Sequence, residues 1–262
     1  MLVRKLEFYL AYFLARYTSH FFLRNKLIRF QLEGRDNARM IFKEIFLSNS
    51  YDFTKSTKSA LLKNSQMVLI DIGANIGLAS IYFRGLYPSL KIISIEASPL
   101  NFQLLVRNLE GKYQKGITTI NAFVGREPSR VNFLHNNKKP GGSRQNERDM
   151  AVIVEEHLKA FELESISLPA ILEKDRSYVI KLDIEGGEYD VLLDLISSPK
   201  IEFVLEIVAE VTVGSVKKLE ELVHVISKYD AKGFQHRILS DYYMANLDRK
   251  QKQGHLTLSL FR

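Results

Sequence analysis

Short apolar segments alternate with helical patterns through the middle of this chain of 262 residues, and this alternation restricts the fold more than any other feature. Five segments are rich in β-branched residues and nearly continuous in apolar character, as strands buried on both faces are. They are residues 67–71, 91–96, 117–123, 178–183 and 201–207. Helical patterns follow at residues 76–85, 98–111, 188–196 and 215–230. Repeated strand–helix units predict a mostly parallel sheet with helices on both faces.

The end of the chain has a different pattern. Residues 233–239 and 255–261 are typical of two further strands, and only a polar stretch connects them. Because no crossover helix lies between these strands, we expect an antiparallel pair at the edge of the sheet. The predicted fold is therefore α/β, with a mostly parallel seven-stranded sheet that includes an antiparallel edge strand, over residues 61–262.

The first 30 residues combine aromatic side chains with positive charge, six basic residues against the single acid Glu7. The longest charge-free apolar run has 8 residues, whereas a membrane-spanning helix needs about 20. No small-residue cleavage pattern follows it, so we expect no signal peptide. We expect residues 1–60 to form a helical extension. Its first 30 residues would pack on the domain or on a second copy of the chain, or lie at a membrane surface.

The chain contains no cysteine. This excludes disulfides, thiolate metal ligands and a cysteine nucleophile. The composition fits a reducing compartment. We therefore expect a cytoplasmic protein, at the inner membrane surface if the first 30 residues bind lipid.

The turn between the first strand and the first helix carries the motif LIDIGANIGLAS at residues 69–80. Ligands of open α/β sheets bind beyond the carboxyl ends of the strands, so this turn is the expected ligand position. A dinucleotide fingerprint would need glycine at positions 73, 75 and 78, but Asn75 and Leu78 occupy two of them. A P-loop sequence is also absent. The pattern favours an adenosyl ligand with an amino-acid tail, and the alternative is that the glycines only allow a tight turn.

The next predicted strand ends in an acid, Glu96. A carboxylate at that position can accept hydrogen bonds from both hydroxyls of a ribose. Together, the two strand ends resemble those of class I S-adenosylmethionine-dependent methyltransferases, which have a Rossmann-like fold.

A second stretch narrows the resemblance. The sequence VIKLDIEGGEYDVLLDL at residues 179–195 resembles the signature of the FkbM family of methyltransferases. LIDIGANIG (69–77) and ISIEASPLNFQLLVRNL (93–109) precede it in the expected order, LEIVAE (205–210) also fits, and the resemblance covers about residues 65–210. It implies methyl transfer from S-adenosylmethionine, usually to oxygen, on glycans, lipid-linked sugars or secondary metabolites. Residues 61–262 would then be a class I methyltransferase domain.

The resemblance also implies a cofactor site at the ends of the first strands, with Glu96 on the ribose. Ala97 stands where many members of the family have proline. No acid follows the third predicted strand, so adenine would be held by backbone or by stacking on Phe123. The residues assigned to the cofactor in this way are Asp71, Gly73, Ala74, Asn75, Gly77, Glu96, Ala97 and Phe123.

Three acids are candidates for catalysis: Asp183, Glu185 and Glu206. Asp183 ends the fourth predicted strand, Glu185 follows it, and Glu206 lies near the end of the fifth predicted strand. Methyl transfer is an in-line displacement, so the protein mainly aligns the nucleophile with the methyl group. A carboxylate can also take the proton of an acceptor hydroxyl. The same acids can hold Mg²⁺, but we favour a site without a metal.

The leading hypothesis is an O-methyltransferase that acts on a sugar, a lipid-linked glycan or a small metabolite. A non-catalytic S-adenosylmethionine-binding protein of the same fold is the main alternative. A nucleic-acid methyltransferase is less favoured, because the Pro-Pro-Tyr/Phe motif of amino-group methylation is absent, and we expect no specific nucleic-acid partner. The histidines at 135, 157, 224 and 236 lack ligand spacing and are expected in the core or at the surface. The polar residues 136–150 predict a loop, in which Arg144 or Arg148 can meet an anionic substrate.

Overall fold

The structure is a computed structural model that describes residues 20–23, 26–29, 41–47, 50–110, 115–136, 144–145, 158–184, 186–240 and 254–262. The strands are β1 His20–Leu23, β2 Lys26–Arg29, β3 Met67–Ile72, β4 Lys91–Glu96, β5 Ile117–Asn121, β6 Phe123–Gly125, β7 Arg130–Asn136, β8 Arg144–Gln145, β9 Leu158–Ser167, β10 Ser177–Leu182, β11 Val204–Val213, β12 Gln235–Ser240 and β13 Gly254–Phe261. The α-helices are α1 Lys55–Lys63, α2 Leu78–Leu86, α3 Pro99–Leu109, α4 Leu168–Ile171, α5 Glu188–Ser197 and α6 Val216–Asp230. A π-helix spans Lys43–Leu47 and a 3₁₀-helix spans Pro199–Phe203.

A seven-stranded sheet in the order β12-β13-β11-β10-β3-β4-β5 forms the centre of the molecule. Strand β3 pairs in parallel with β10 and β4, and β10 also pairs in parallel with β11. Strand β13 is antiparallel to both β11 and β12. The predicted α/β fold is confirmed, and so is the antiparallel pair at the edge of the sheet.

Two hydrophobic cores lie on the two faces of this sheet, and the cofactor motif faces one of them. Residue Leu69 of β3 belongs to the first core with helices α1, α2 and α3, whereas Ile70 and Ile72 belong to the second core with α4, α5 and α6. Because alternate side chains of a strand point to opposite faces, Asp71 lies on the side of the first core. Lys181 of β10 lies on the same side, since Val179, two residues earlier in the strand, packs in that core.

The fifth predicted strand starts later than the sequence pattern suggests. Pro199 lacks a backbone N–H and has a fixed φ, which favours the first position of a helix, and residues 199–203 form the 3₁₀-helix. Strand β11 then runs from Val204 to Val213, and its pairing with β13 from Glu206 to Val213 extends it beyond the predicted end. The predicted strand at 201–207 is therefore wrong at both ends, and Glu206 lies near the beginning of a strand rather than at its end.

The third predicted strand, 117–123, is divided between two sheets. Strand β5 ends at Asn121, and Phe123 begins β6 in a four-stranded sheet of order β6-β9-β7-β8. The sequence analysis did not predict this second sheet, whose small core contains Phe123, Val131 and Phe133. Its two-residue strand β8 lies within the predicted loop at 136–150 and pairs with β7. The other residues between 137 and 157, including Arg148 and His157, lie outside the described residues.

Residues 20–23 and 26–29 differ from the predicted helical extension, whereas residues 41–47 and 55–63 are helical. Strands β1 and β2 pair antiparallel, with Leu23 opposite Lys26. Phenylalanine and isoleucine in these eight residues favour strands, so the helical prediction is wrong over 20–23 and 26–29. Residues 1–19 lie outside the described residues, and the division at residue 60 remains a prediction. No helix in the described ranges is long and apolar enough to cross a membrane.

Residues 41–47 and 50–54, which we call the arm, pack directly on the sheet domain. Phe42, Phe46 and Phe53 are almost completely buried in the first core. The Phe46 ring contacts that of Tyr82 at a centroid distance of 5.0 Å, and the Phe53 ring lies 5.4 Å from that of Phe83. The arm is thereby held against α2, directly beside the turn that carries the cofactor motif.

Candidate active site

The turn that follows β3 adopts backbone conformations that side chains disfavour. Gly73 has φ +72°, Asn75 has φ +51° and Gly77 has φ +90°. A Cβ on Gly73 would lie 1.7 Å from the carbonyl oxygen of Asp183, so only glycine allows this approach. The backbone N–H groups of Gly73 and Ala74 both donate to Ile95 O at 2.9 Å. The turn therefore brings the ends of β3, β4 and β10 together.

A buried lysine holds this junction. The Lys181 ammonium lies 3.1 Å from Asp71 Oδ1 and 3.5 Å from Asp183 Oδ2. It also donates to the carbonyl oxygens of Gly73 at 2.8 Å and of Ile72 at 3.3 Å. Burial lowers the pKa of Lys181, but the two carboxylates more than offset burial and raise that pKa above its ordinary value. The lysine therefore stays charged and ties the cofactor turn to the end of β10.

Asp71 is completely buried and supports the turn from below. Its Oδ2 accepts a hydrogen bond from Ser80 Oγ at 2.6 Å, and its Oδ1 faces Lys181. The Ser80 hydroxyl is also 2.7 Å from that of Ser94 on β4. Asp71 thus connects β3, α2 and β10, and in this arrangement it positions the turn.

Glu96 ends β4 and lies beside the same turn. One carboxylate oxygen accepts a hydrogen bond from Asn75 N at 2.8 Å, and the other accepts one from Ser98 N at 2.9 Å. Burial raises the pKa of Glu96, although these backbone hydrogen bonds oppose the shift. Each carboxylate oxygen has a second acceptor direction, so the group can hold a diol while it keeps both backbone contacts.

Ala97 and Phe123 lie next to each other at the boundary of the two sheets. Phe123 is 8% exposed and belongs to the small core of the second sheet, and Ala97 packs against that core. The Asn121 side chain donates to Ala97 O at 3.0 Å and so holds the two strand ends together. The stacking of adenine on Phe123 stays a prediction. His135, by contrast, is a core histidine whose Nδ1 lies 2.7 Å from Ser98 Oγ.

Asp183 is the predicted catalytic acid that the structure places in the pocket. Its Oδ2 accepts a hydrogen bond from the Tyr51 hydroxyl at 2.7 Å, and its side chain is 29% exposed. Burial and the nearby Asp183 raise the pKa of Tyr51 well above its ordinary value, so the hydroxyl keeps its proton and donates. Glu185 lies outside the described residues.

Glu206 has a structural role, and its predicted position at a strand end is wrong. It is fully buried and accepts hydrogen bonds from Thr54 N at 2.9 Å, Thr54 Oγ1 at 2.9 Å and Ser259 Oγ at 2.8 Å. Arg237 lies 3.3 Å from its Oε1. In the sheet Glu206 pairs with Val179, four residues before Asp183, which is about 13 Å along the strand. It anchors the arm far from the pocket.

One pocket joins these parts. It is lined by residues 73–76 of the cofactor turn, by Lys181 and Asp183 beyond β10, and by Glu44 and Tyr51 of the arm. The empty space is about 350 Å³, part of it open to solvent. The cofactor motif and the predicted acid Asp183 therefore share one cavity, while Glu96 lies behind Asn75 and outside the pocket lining.

The sequence profile described as the methyltransferase FkbM domain matches residues 71–235, which is more than half of the chain. The chain belongs to the FkbM methyltransferase family. The resemblance seen in the sequence motifs is thus confirmed. The match includes the turn after β3, Glu96 and Asp183, whereas the arm lies before it.

Two curated relatives carry methyltransferase names. Methyltransferase 1 of Beauveria bassiana (strain ARSEF 2860) is 26% identical over 174 residues, which are 60% of this chain and 67% of that protein. Methyltransferase sdnD of Sordaria araneosa is 39% identical over 72 residues, which are 28% of this chain and 25% of that protein.

Solved structures are more distantly similar. The precorrin-6y C5,15-methyltransferase of Geobacter metallireducens GS-15 has a TM-score of 0.41 at 13% identity, with 79% of this chain and 86% of that chain covered. The N-terminal domain of human METTL16 in complex with SAH has a TM-score of 0.41 at 12% identity, with 99% of this chain and 81% of that chain covered. Likenesses this weak say nothing about a ligand or a substrate.

Two polar pocket residues of the arm, Glu44 and Tyr51, were not predicted from the sequence. Glu44 stands beside the buried apolar residues Ile45 and Phe46, and a polar side chain inside an apolar helical stretch was the available signal. Tyr51 follows the polar residues 48–50 and gave no such signal. Among the described residues of this FkbM family member, no group of three or more His, Asp or Glu is arranged to hold a metal ion.

Proposed function

We propose that this FkbM family member is an S-adenosylmethionine-dependent O-methyltransferase. Its acceptor would be a hydroxyl of a sugar, a lipid-linked glycan or a small metabolite. The observation that carries the proposal is the pocket in which the glycine turn after β3 meets Asp183 and Lys181. A protein that only binds a nucleotide does not require an acid near the ligand turn. An enzyme that removes the proton of an acceptor hydroxyl does require a group that accepts it.

The residues present fit the cofactor. S-adenosylmethionine carries a sulfonium and an ammonium, and the arm offers the carboxyl of Glu44 to the pocket. A Cβ at position 73 has no room beside the Asp183 carbonyl, so glycine lets the turn lie directly against the end of β10 and beside Asp183. The turn would hold the methionine end, Glu96 the ribose and Phe123 the adenine. When bound, the cofactor supplies an electrophilic methyl group.

The chain itself would align the acceptor and remove its proton. Asp183 is held by Tyr51 and lies 3.5 Å from Lys181, so its carboxylate has a defined orientation toward the pocket. We propose Asp183, or Glu185 after it, as the group that accepts the hydroxyl proton while the methyl group arrives. Lys181 stays protonated and holds the turn and the acid in fixed relative positions.

We further propose the domain bounds and the N-terminal contacts that the sequence predicts, and a reaction that needs neither a metal ion nor a nucleic acid. The methyltransferase domain would comprise residues 61–262 after an extension at 1–60. The first 30 residues would contact a membrane surface or a second copy of the chain, in a cytoplasmic protein at the inner membrane surface in the first case. No Mg²⁺ would be required, and no specific nucleic acid would bind.

Calorimetry with S-adenosylmethionine, S-adenosylhomocysteine and NAD⁺ tests the cofactor. We expect micromolar binding of both adenosyl ligands and none of NAD⁺, and the reverse result would refute the proposal. Transfer of labelled methyl groups into cell extracts then tests the activity. Release of labelled methanol by alkali would indicate a methyl ester, and mass spectrometry of an alkali-stable product distinguishes an O-methyl ether from an N-methyl or S-methyl group. Binding without transfer to any extract would favour the non-catalytic alternative.

A further inference from the structure

The arm is fixed to the sheet domain at both of its ends. At one end, the rings of Phe42 and Phe46 stack at 4.4 Å and are buried in the first core. At the other end, Thr54 donates both its backbone N–H and its hydroxyl to the buried Glu206. Side chains that lie between these two anchors are therefore held over the sheet in defined positions.

Glu44 lies within the first of these anchors, between Phe42 and Phe46, in the π-helix of the arm. π-Helical turns are rare and occur frequently at functional sites. The backbone carbonyl of Glu44 accepts hydrogen bonds from Ser50 N at 3.3 Å and from Ser50 Oγ at 3.2 Å. Its side chain lines the pocket opposite residues 73–76 of the cofactor turn.

Around Glu44, acidic side chains outnumber the side chains that carry a positive charge. Lys181 and Asp183 face it from β10, Tyr51 from its own arm, and the Glu210 carboxyl of β11 hydrogen-bonds to it. The Lys181 ammonium is already 3.1 Å from Asp71. His255 of β13 lies 3.6 Å from Glu210, and burial lowers its pKa, which favours the neutral ring.

These surroundings determine when Glu44 is charged. Burial raises the pKa of Glu44 to about 7, and Asp183 adds to the shift, while Lys181 and the hydrogen bond with Glu210 oppose it. A hydrogen bond between two carboxyls contains one shared proton, and such a pair titrates together. The pocket therefore gains a negative charge as the pH rises through neutrality.

We propose that Glu44 faces a cationic group of the bound methyl donor, the sulfonium or the ammonium, and so contributes to the methyl-donor site from outside the segment that the family profile matches. This inference rests on the proposed function. The assignment does not follow from the family motifs, since Glu44 precedes residues 71–235. It follows from a carboxyl that the anchored arm places in the lining of the same cavity as the cofactor turn.

The test measures binding rather than turnover. Dissociation constants for S-adenosylmethionine and S-adenosylhomocysteine are determined by calorimetry between pH 5.5 and 8.5 on the full chain, on Glu44→Gln and on the exposed control Glu220→Gln. The titration of the amino group in the free ligand is the same for every protein, so it cancels in the ratio of the variant constant to the wild-type constant. We expect this ratio to rise about tenfold with pH for Glu44→Gln and to stay constant for Glu220→Gln.

The two ligands separate the two cationic groups. A rise for S-adenosylmethionine alone assigns Glu44 to the sulfonium, which S-adenosylhomocysteine lacks, and a rise for both ligands assigns it to the ammonium. A ratio independent of pH for both ligands overturns the inference but leaves the proposed function intact. Absence of binding by the wild-type chain overturns the proposed function and the inference with it.

A second variant, Glu44→Met, covers the case in which Glu44→Gln does not fold. Methionine has a similar length and no charge, and removal of a charge that is costly to bury should not prevent folding. Circular dichroism at pH 8 checks both variants. If neither variant folds, the Glu44 carboxyl holds the arm together, and the inference is overturned.

Discussion

Two carboxylates flank the turn that follows β3, with Glu96 on the side of β4 and Asp183 on the side of β10. Glu96 accepts its hydrogen bonds from backbone N–H groups, whereas Asp183 accepts one from the Tyr51 hydroxyl and lies near an ammonium. Two acids that follow the ends of neighbouring strands thus have different surroundings, and each is suited to a different part of the proposed reaction.

Replacement of Glu96 by alanine should weaken the binding of S-adenosylhomocysteine. The loss of charge-assisted hydrogen bonds to a ribose is expected to cost about 1.5–3 kcal/mol, or roughly 10- to 150-fold in Kd. Calorimetry measures this change, with Glu110→Ala, an exposed acid after α3, as the control. An unchanged Kd would remove Glu96 from the ribose site.

Replacement of Asp183 by asparagine should leave the cofactor in place and stop the chemistry. The substitution preserves shape and removes only the negative charge, so we expect kcat to fall roughly 10²- to 10⁴-fold at a nearly unchanged Kd for S-adenosylhomocysteine. Turnover with labelled S-adenosylmethionine measures this effect. Tyr51→Phe removes the hydroxyl that orients Asp183 and should give a smaller loss. Full activity in Asp183→Asn would transfer the role to Glu185.

The raised pKa of Glu44 predicts the pH dependence of stability. A carboxyl with a pKa of about 7 in the folded chain and 4.5 otherwise stabilises the fold below pH 4.5, and this contribution is lost as the pH rises through 7. The free energy of unfolding of the wild-type chain should therefore fall between pH 5 and 8. In Glu44→Gln this fall should be smaller by about 1–3 kcal/mol. Urea denaturation at both pH values measures the fall. The same decrease in wild type and variant would contradict the prediction.

At the scale of elements, the beginning of β11 joins three parts of the fold. Glu206 connects the arm through Thr54, β12 through Arg237 and β13 through Ser259. The extra length of β11 and the insertion of β13 between β11 and β12 create this junction. The pocket depends on it, because the junction holds the arm that carries Glu44 and Tyr51.

Glu206→Ala should consequently destabilise the protein. Removal of the carboxylate leaves the Thr54 N–H and the buried Ser259 hydroxyl without their acceptor, and each buried unsatisfied group costs about 1–3 kcal/mol. Urea unfolding measures the loss, and Ser259→Ala, which removes only one neutral donor, should cost about 1 kcal/mol. A Glu206→Ala variant that is as stable as wild type but inactive would restore Glu206 as a catalytic candidate.

At the scale of the whole molecule, the distribution of charge separates the N-terminal region from the site. Six of the basic residues lie among the first 30, whereas the pocket is lined by Glu44 and Asp183 with Lys181 as its cation. We therefore expect the basic first 30 residues, rather than the pocket, to meet a membrane surface or a second copy of the chain.

Replacement of Arg4, Lys5 and Arg16 by glutamine should reduce sedimentation with vesicles that contain phosphatidylserine. Each basic residue near an anionic surface contributes about 1 kcal/mol, so the three together are expected to change the partition roughly 100-fold at low salt. Neutral phosphatidylcholine vesicles are the control. Equal sedimentation of both proteins would contradict the lipid interpretation, and a smaller mass of the variant in light scattering would instead favour contact between copies.

The sequence by itself determined the parallel core of the fold and the cofactor turn. Strand–helix alternation and the glycines at 73 and 77 act within short stretches, where hydrophobic period and backbone freedom suffice to predict structure. The predicted strand bounds were less accurate at Pro199, which begins a 3₁₀-helix, and at Asn121, where β5 ends. The second sheet was missed because it depends on pairing between β7 and β9, which are far apart in the chain.

Only the tertiary structure decided which side chains share the pocket. Tyr51 and Asp183 are 132 residues apart, and no local pattern indicates that an arm before the domain returns to the end of β10. The same holds for Glu206, which resembles a strand-end acid in the sequence but lies beneath Thr54 and Ser259 once β13 has paired with β11. Periodicity shows which face a residue takes, whereas its partners across the sheet depend on how distant segments pack.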